Sequence, residues 1–142
     1  MKILAAIVTH NRCELLERCI NHLQTQTRIP DFILVVNNGS TDDTVDMLAR
    51  RNIQCITQEN VGSAGGWSRC ISYALEHNFD AVWLMDDDGF PNSSALEHLE
   101  GSLKSGLACV SSVVLREHDR ERLVFPFPVL NNKKLPVIFS LR

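Results

Sequence analysis

Short apolar runs that alternate with segments of helical periodicity restrict the fold of this chain more than any other feature. Each run is continuous rather than alternating, which is typical of strands buried on both faces. Between the runs, apolar residues recur three and four positions apart, which predicts helices. The runs occupy residues 2–8, 32–36, 53–57, 81–85 and 107–115, and the helices residues 11–24, about 45–49, 63–77 and 94–104. This order predicts an α/β fold with a mostly parallel central sheet and helices on both faces.

The start of the first helix carries a capping signal. Asn11 precedes the periodic segment and Glu14 follows three residues later, which is the pattern of a capping box. We therefore expect the Asn11 side chain to cap this helix.

The composition fits one ordinary domain and disfavours two classes of function. The 142 residues carry a formal charge of −3, with 44% apolar and 22% charged residues. No basic stripe is interleaved with aromatic residues, so nucleic acid is not expected as a partner. No apolar run approaches the ~20 residues that cross a bilayer, so an integral membrane protein is not expected.

The cysteine pattern indicates reduced thiols rather than disulfides or a zinc site. The number of cysteines, five, is odd, and none forms a C-x-x-C pair. Most lie at apolar positions of predicted helices and strands, which indicates buried thiols in a cytoplasmic protein. The five are Cys13, Cys19, Cys55, Cys70 and Cys109.

The composition changes after residue 115, so we expect an α/β domain over residues 1–115 and a separate segment over residues 116–142. The charged residues 116–122 are expected to form a solvated loop. The apolar tail that follows contains Pro126, Pro128 and Pro136, which disfavour a helix or a central strand. This tail is expected to pack against a second copy of the chain or another part of the protein.

Small, polar and acidic residues follow each of the first four predicted strands. Ligands of parallel sheets bind beyond the carboxyl ends of the strands, so these four loops are expected to line one pocket. The loops are THNR, NNGSTDD, QENVGSAGGWSR and DDDGFP, at residues 9–12, 37–43, 58–69 and 86–91.

Three consecutive aspartates follow the fourth strand, and they have two interpretations: a solvated acidic loop or a metal seat. In extended backbone, Asp86 and Asp88 face the same way and Asp87 faces away. Two neighbouring carboxylates raise each other's pKa unless a cation neutralises them. Because Mg²⁺ and Mn²⁺ bind through one or two carboxylates plus substrate phosphates, we favour the metal seat.

The other loops also have a structural and a functional interpretation. Asn37 ends a buried strand with a polar amide, and Gly39 suits a turn. The VGSAGG segment matches neither common phosphate-loop pattern, but its glycines allow close approach at a helix start, where backbone amides attract phosphate. Arg69, one turn into that helix, either points to the same edge or is solvated.

Four segments in register resemble the nucleotide-sugar-binding half of inverting GT-A glycosyltransferases. They are VTHNR, LVVNNGSTDDT, ENVGSAGGWSR and WLMDDDGFP, at residues 8–12, 34–44, 59–69 and 83–91. The resemblance is to the large family that includes bacterial rhamnosyl- and galactofuranosyltransferases. It implies the Rossmann-like nucleotide-diphospho-sugar transferase fold in a truncated or naturally short form.

The resemblance also implies a donor site and a cofactor. The donor is UDP- or dTDP-linked, and Mn²⁺ or Mg²⁺ bound by Asp86 and Asp88 holds its diphosphate. Many members have two aspartates where this chain has Asn37 and Asn38. The residues implied to contact the nucleotide-sugar are Thr9, Asn11, Arg12, Asn37, Asn38, Gly39, Gly62, Gly65, Gly66, Arg69, Asp86 and Asp87.

The implied acceptor is a glycan or lipid-linked sugar, which would bring the protein to the inner face of the membrane. In the family, the general base and the acceptor site follow the aspartates, whereas the 54 residues after Asp88 do not match that half. The general base is therefore not identified.

Three hypotheses remain open from the sequence. The first is a metal-dependent, inverting glycosyltransferase. The second is a catalytically silent nucleotide-binding or assembly module. The third is another phosphate-handling α/β enzyme, which would need a Walker lysine or an aspartate nucleophile with a phosphate-loop partner.

Overall fold

Four parallel strands form the central sheet, as the sequence predicts. The computed structural model describes residues 1–105, 107–116 and 118–124. The strands of the sheet are β1 (Ile3–Thr9), β2 (Phe32–Asn37), β3 (Gln54–Thr57) and β4 (Ala81–Asp86). The helices are α1 (Cys13–Gln24), α2 (Thr44–Arg50), α3 (Gly62–Glu76) and α4 (Ala95–Lys104).

The strand order creates a switch point beside β1. The order across the sheet is β3-β2-β1-β4, so the chain moves outward from β1 to β3 and then crosses back to the other side of β1. Val8 pairs with Asp86, and Thr9 pairs with Asn37. In sheets of this kind, a crevice opens beyond the carboxyl ends of the strands where the order reverses, here between β1 and β4.

Helices cover both faces of the sheet, which confirms the expected layers. Apolar side chains of α1 and α2 pack with one set of strand residues. Side chains of α3 pack with the alternate set, because successive strand residues point to opposite faces. The first core includes Ala5, Ile7, Val35 and Met85, and the second includes Leu4, Ala6, Val8, Leu34 and Val36.

A glycine allows α3 to lie close to β1. A Cβ added at Gly66 would lie 2.5 Å from Cγ1 and 2.9 Å from Cγ2 of Val8, a buried residue of β1. Both distances are shorter than real Cβ contacts. The absence of a side chain at Gly66 is therefore explained by packing.

The predicted fifth strand is wrong. Residues 107–114 contain no strand, and Leu115–Arg116 (β5) instead pairs antiparallel with Asp119–Leu123 (β6). An apolar run predicts a buried strand only if other elements cover it, whereas Leu107, Val113 and Leu115 are exposed. The hairpin also corrects the loop predicted over residues 116–122. The tail with Pro126, Pro128 and Pro136 lies outside the described residues.

The chain divides into two compact units after Glu97. The first contains the four-stranded sheet and helices α1 to α3, and the described part of the second contains the β5–β6 hairpin. The boundary expected at residue 115 was drawn from composition rather than packing, and it stays a prediction. Among the described residues, no helix is long and apolar enough to cross a membrane.

We predict that Gly66→Ala lowers the free energy of unfolding by about 1–3 kcal/mol, because the added methyl group overpacks the α3–β1 contact. Urea denaturation followed by circular dichroism measures the change. Gly101→Ala is the matched control, since no atom of the described residues lies within 4 Å of a Cβ at this α4 position. This control is expected to stabilise by up to about 1 kcal/mol through helix propensity. Equal effects of the two substitutions would contradict the packing explanation.

Candidate functional site

The candidate site lies at the carboxyl edge of the sheet, at the switch point between β1 and β4. Thr9 ends β1, Asn37 ends β2 and Asp86 ends β4. Thr9 and Asn37 are buried polar residues, and the aspartate loop follows directly from β4. These strand ends bring the loops after β1, β2 and β4 to one edge, and the loop after β3 joins them, since the Gln58 amide donates to the Asn37 carbonyl at 3.0 Å.

Asp87 is the anchor of the aspartate loop. The residue is 4% exposed, and its Oδ2 accepts a hydrogen bond of 2.8 Å from the Thr9 hydroxyl. Its Oδ1 lies 3.2 Å from Nη1 of Arg12, which supplies the opposite charge. A buried carboxylate is costly unless it is hydrogen-bonded and paired, and Asp87 has both partners.

The predicted orientation of the three aspartates is wrong for Asp87. The same Arg12 nitrogen that contacts Asp87 lies 3.4 Å from Oδ2 of Asp88. The alternation argument holds only within a strand, and β4 ends at Asp86. The next two residues form a turn that the Gly89 amide closes by donating to the Asp86 carbonyl at 3.1 Å. Asp87 thus turns inward, whereas the Asp88 side chain is 49% exposed.

A buried glutamine fixes the chain that leaves the aspartate loop. Gln26, beyond the end of α1, is 4% exposed. Its Nε2 donates to the carbonyls of His22 and Asn92, and its Oε1 accepts from the amide of Leu96. This amide ties the segment after the aspartates to α1. Sequence reasoning missed Gln26, because two of its three partners are 66 and 70 residues away.

Asn11 joins two loops instead of capping α1, so the predicted capping box is wrong. Its φ is +52°, and the N-cap position is occupied by Arg12 without a side-chain cap. The Asn11 Oδ1 accepts from the amide of Thr41 at 2.7 Å, and the Asn11 amide donates to the Ser40 hydroxyl at 2.9 Å. These bonds hold the loop after β1 against the loop after β2.

Asn38 connects three loops through one buried residue. It is 3% exposed; its amide N–H donates to the Thr9 carbonyl at 2.9 Å, and its carbonyl accepts from His10 Nδ1 at 2.8 Å. The side chain reaches the third loop: Oδ1 accepts from Gln58 Nε2 at 2.8 Å, and Nδ2 donates to the Gly62 carbonyl at 3.1 Å. A carbonyl only accepts, so Nδ1 of His10 carries the proton.

Asn37 makes bonds of a different kind. Its Oδ1 accepts from the Ser40 amide at 2.9 Å, which closes the turn where Gly39 has a φ of +70°. Its Nδ2 lies 3.4 Å from the Thr57 hydroxyl, which is able to donate as well as accept. An acidic side chain at this position would keep both partners, whereas at position 38 it would face the Gly62 carbonyl.

The glycine-rich segment has mainly structural contacts. Gly62 has a φ of +76°, which favours glycine, and its amide donates to Asn60 Oδ1 at 3.0 Å. A Cβ at Gly65 would meet the Val61 side chain. Arg69 is not brought to the sheet edge: its Nη1 lies 3.6 Å from Glu76 Oε1, two turns further along α3.

Carboxylates at the edge suit a hard divalent cation. Among the described residues, no group of three or more His, Cys, Asp or Glu side chains is placed to hold a metal by itself. A cation that also binds substrate phosphates needs only one or two carboxylates, and the half-exposed Asp88 side chain offers one. The carboxylates at this edge therefore fit Mg²⁺ or Mn²⁺ as a cation bound jointly by the protein and by phosphate.

The cysteines are free, as the sequence predicts, but only Cys19 and Cys70 are buried, and Cys109 is exposed. Burial raises the pKa of Cys19 to about 12, with a further contribution from the charges of Asp87 and Asp88. Burial also raises the pKa of Cys70 to about 12. Because the thiolate is the nucleophile, these two side chains stay protonated and inert near neutral pH.

Comparison with known proteins identifies relatives. The sequence profile of glycosyl transferase family 2 matches residues 5–132. Galactofuranosyltransferase GlfT1 of Mycobacterium tuberculosis (strain ATCC 25618 / H37Rv) is 34% identical over 131 residues, which are 87% of this chain and 43% of that protein. O-antigen chain rhamnosyltransferase RfbN of Salmonella typhimurium is 27% identical over 101 residues, 70% of this chain and 32% of that protein. The chain thus spans less than half the length of these curated relatives.

A solved structure shows the same fold. Glucosyl-3-phosphoglycerate synthase from Mycobacterium tuberculosis, in complex with Mn²⁺, uridine diphosphate and glucosyl-3-phosphoglycerate, superposes with a TM-score of 0.59. The sequences are 21% identical, and the match covers 71% of this chain and 39% of that one. The nucleotide-diphospho-sugar transferase fold expected from the sequence is confirmed.

We predict that Asn38→Asp destabilises the protein and that Asn37→Asp, the matched control, has a smaller effect. Burial and the Gly62 carbonyl would raise the pKa of a carboxyl at position 38 above the ordinary ~3.9. A raised folded-state pKa means that stability is kept at low pH and lost as pH rises through that pKa. The difference in the free energy of unfolding between the wild type and Asn38→Asp is therefore expected to become smaller from pH 8 toward about pH 5. Urea denaturation of the variant and the wild type across this pH range tests the prediction. A loss of stability that does not change with pH would contradict the contact between position 38 and the Gly62 carbonyl.

Proposed function

The chain belongs to glycosyl transferase family 2, and on that premise we propose that it binds a nucleotide-diphospho-sugar at the carboxyl edge of its sheet and serves transfer of the sugar. The observation that carries the proposal is the convergence of Thr9, Arg12, Asp87 and Asp88 at the switch point between β1 and β4. This crevice is where open α/β sheets bind their ligands.

The proposed donor is UDP- or dTDP-linked. Solved structures with the same fold hold uridine diphosphate or GDP-mannose, so the choice of a pyrimidine nucleotide follows from the family resemblance. We place the base and ribose along the loops after β1 and β2, which Asn11 and Asn38 hold together. The proposed nucleotide contacts at Asn37, Gly39 and the glycine-rich loop follow from the family resemblance.

Arg69 and the glycines of α3 are weaker candidates for donor contacts. Gly66 is explained by its packing against Val8, and the Arg69 guanidinium pairs with Glu76. Contact between Arg69 and the donor would require its side chain to change rotamer. We retain the Gly62 loop as the part of this segment beside the diphosphate, because Asn38 fixes its carbonyl near the site.

The proposed cofactor is Mn²⁺ or Mg²⁺, with Asp86 and Asp88 as its ligands. When bound, such a cation neutralises charge on the diphosphate leaving group. Asp87 is proposed to position the loop, since Thr9 and Arg12 already contact both of its oxygens. Asp88 is proposed to offer exposed oxygens toward the diphosphate. Mn²⁺ in the synthase that shares the fold supports this assignment.

The proposed reaction is inverting transfer to a glycan or lipid-linked acceptor. An acceptor hydroxyl would attack the anomeric carbon from the face opposite the diphosphate, with a general base removing its proton. The named relatives are galactofuranosyl- and rhamnosyltransferases, which supports a saccharide acceptor. We further propose a cytoplasmic protein that meets its acceptor at the inner face of the membrane and associates with itself through the apolar tail.

A second candidate is nucleotide binding without transfer, as a catalytically silent module. Its basis is that the described contacts at the sheet edge concern donor binding, and no described residue is assigned as a general base. The two candidates share the donor site and differ in turnover.

We predict that UDP or dTDP raises the melting temperature only when Mn²⁺ or Mg²⁺ is also present. At a ligand concentration of 100 Kd, stabilisation is about 2.7 kcal/mol, which corresponds to a shift of roughly 5–10 °C for a chain of this size. Asp88→Asn is expected to abolish the shift because it removes the exposed carboxylate. Asp46→Asn, an equal charge change at an exposed position of α2, is the control and is expected to keep the shift.

Differential scanning fluorimetry measures these shifts, and hydrolysis of UDP- and dTDP-sugars by the same samples measures turnover. Stabilisation by nucleotide without metal would contradict the proposed metal seat. Nucleotide stabilisation without turnover of any donor or acceptor tested would favour the silent module.

A further inference from the structure

Arg12 contacts two aspartates that have different environments. Its Nη1 lies 3.2 Å from Asp87 Oδ1 and 3.4 Å from Asp88 Oδ2. The Asp87 side chain is 5% exposed and the Asp88 side chain 49%, while the Arg12 side chain is 52% exposed. One guanidinium therefore lies between a buried carboxylate and a solvated one.

The Arg12–Asp87 and Arg12–Asp88 contacts differ in the free-energy cost of breaking them. Asp87 is buried, and loss of its counter-charge would leave an uncompensated charge in the protein interior. Asp88 is solvated, and water replaces an exposed partner at little cost. The Asp88 contact is also the longer of the two. Arg12 can thus leave Asp88 while keeping Asp87.

We propose that Arg12 is a built-in counter-ion that competes with the divalent cation for Asp88. The Arg12 guanidinium lies beside Asp88, which is the solvent-exposed member of the Asp87–Asp88 pair. A divalent cation on Asp88 then disfavours the Arg12 contact with Oδ2, because two cations on one carboxylate repel each other. The inference rests on the proposed function insofar as Asp88 is taken to be a cation ligand.

Competition between Arg12 and the cation predicts a change in cation affinity opposite to the one that a purely structural role of Arg12 predicts. If Arg12 only held the loop together, its removal would loosen the aspartates and weaken cation binding. If it competes, its removal frees Asp88 and strengthens cation binding. The sign of the change in affinity for the metal alone separates the two roles.

The test uses Mn²⁺ alone as the probe, with free Mn²⁺ measured by electron paramagnetic resonance during titration of the purified chain. Arg12→Gln removes the charge but keeps a donor for Asp87. We expect it to bind Mn²⁺ more tightly than the wild type, by up to about fivefold, the factor equivalent to an exposed ion pair of ~1 kcal/mol. The gain is expected to shrink at high salt, because an exposed pair is screened.

Arg50→Gln is the matched control, since it removes the same charge from an exposed position of α2. We expect its Mn²⁺ affinity to equal that of the wild type. Arg12→Lys keeps the charge and is expected to stay near the wild type as well. Arg12→Met, which keeps the aliphatic stem, replaces Arg12→Gln if circular dichroism shows that the latter is unfolded.

Asp88→Asn distinguishes failure of this inference from failure of the proposed function. If Asp88→Asn weakens Mn²⁺ binding but Arg12→Gln leaves it equal or weaker, competition is overturned and the metal seat stands. If Asp88→Asn has no effect, or if neither the wild type nor Arg12→Gln binds Mn²⁺, the proposed seat is overturned together with the competition.

Discussion

The buried carboxylate of Asp87 is the interaction on which the candidate site depends. A charge at that depth requires a donor and a counter-charge: the Thr9 hydroxyl at the end of β1 and the Arg12 guanidinium in the loop after it supply them. The parallel pairing of β1 with β4 is what brings them within reach, since Val8 and Asp86 share a register. The electrostatic requirement of one side chain thereby fixes how the loops after two neighbouring strands meet.

A second constraint is that buried side-chain amides need hydrogen-bond partners, and these bonds position the other loops. Asn38 engages the loops after β1 and β3, and Gln26 holds the segment that follows the aspartates. A buried amide left without partners would cost about 1–3 kcal/mol, so these bonds strongly favour one arrangement of loops. The site is thus built before a ligand arrives, which lowers the ordering cost that binding would otherwise carry.

Local patterns in the sequence were sufficient for the layers of the fold but not for the orientation of the site. Continuous apolar runs and helical spacing predicted β1 to β4 and the helices, because burial on one or two faces leaves a periodic signal. The inward turn of Asp87 and the loop contacts of Asn11 depend on where a strand ends and on residues far along the chain. The apolar run at residues 107–115 wrongly predicted a buried strand for a related reason. Apolar residues form a buried strand only where other elements cover them, and Leu107 and Val113 are exposed.

The choice of amide or acid beside β2 follows from the same reasoning. The family resemblance implies two acids in many members where this chain carries Asn37 and Asn38, and in this chain the two positions are not equivalent. The partners of Asn37 can donate to an acid, whereas Asn38 must itself donate to the Gly62 carbonyl. An ionised acid at position 38 cannot donate to that carbonyl, so this contact is lost unless the loop after β3 takes a different course. The residue type at position 38 is thus coupled in this chain to the path of the glycine-rich loop, whereas the residue type at position 37 is not.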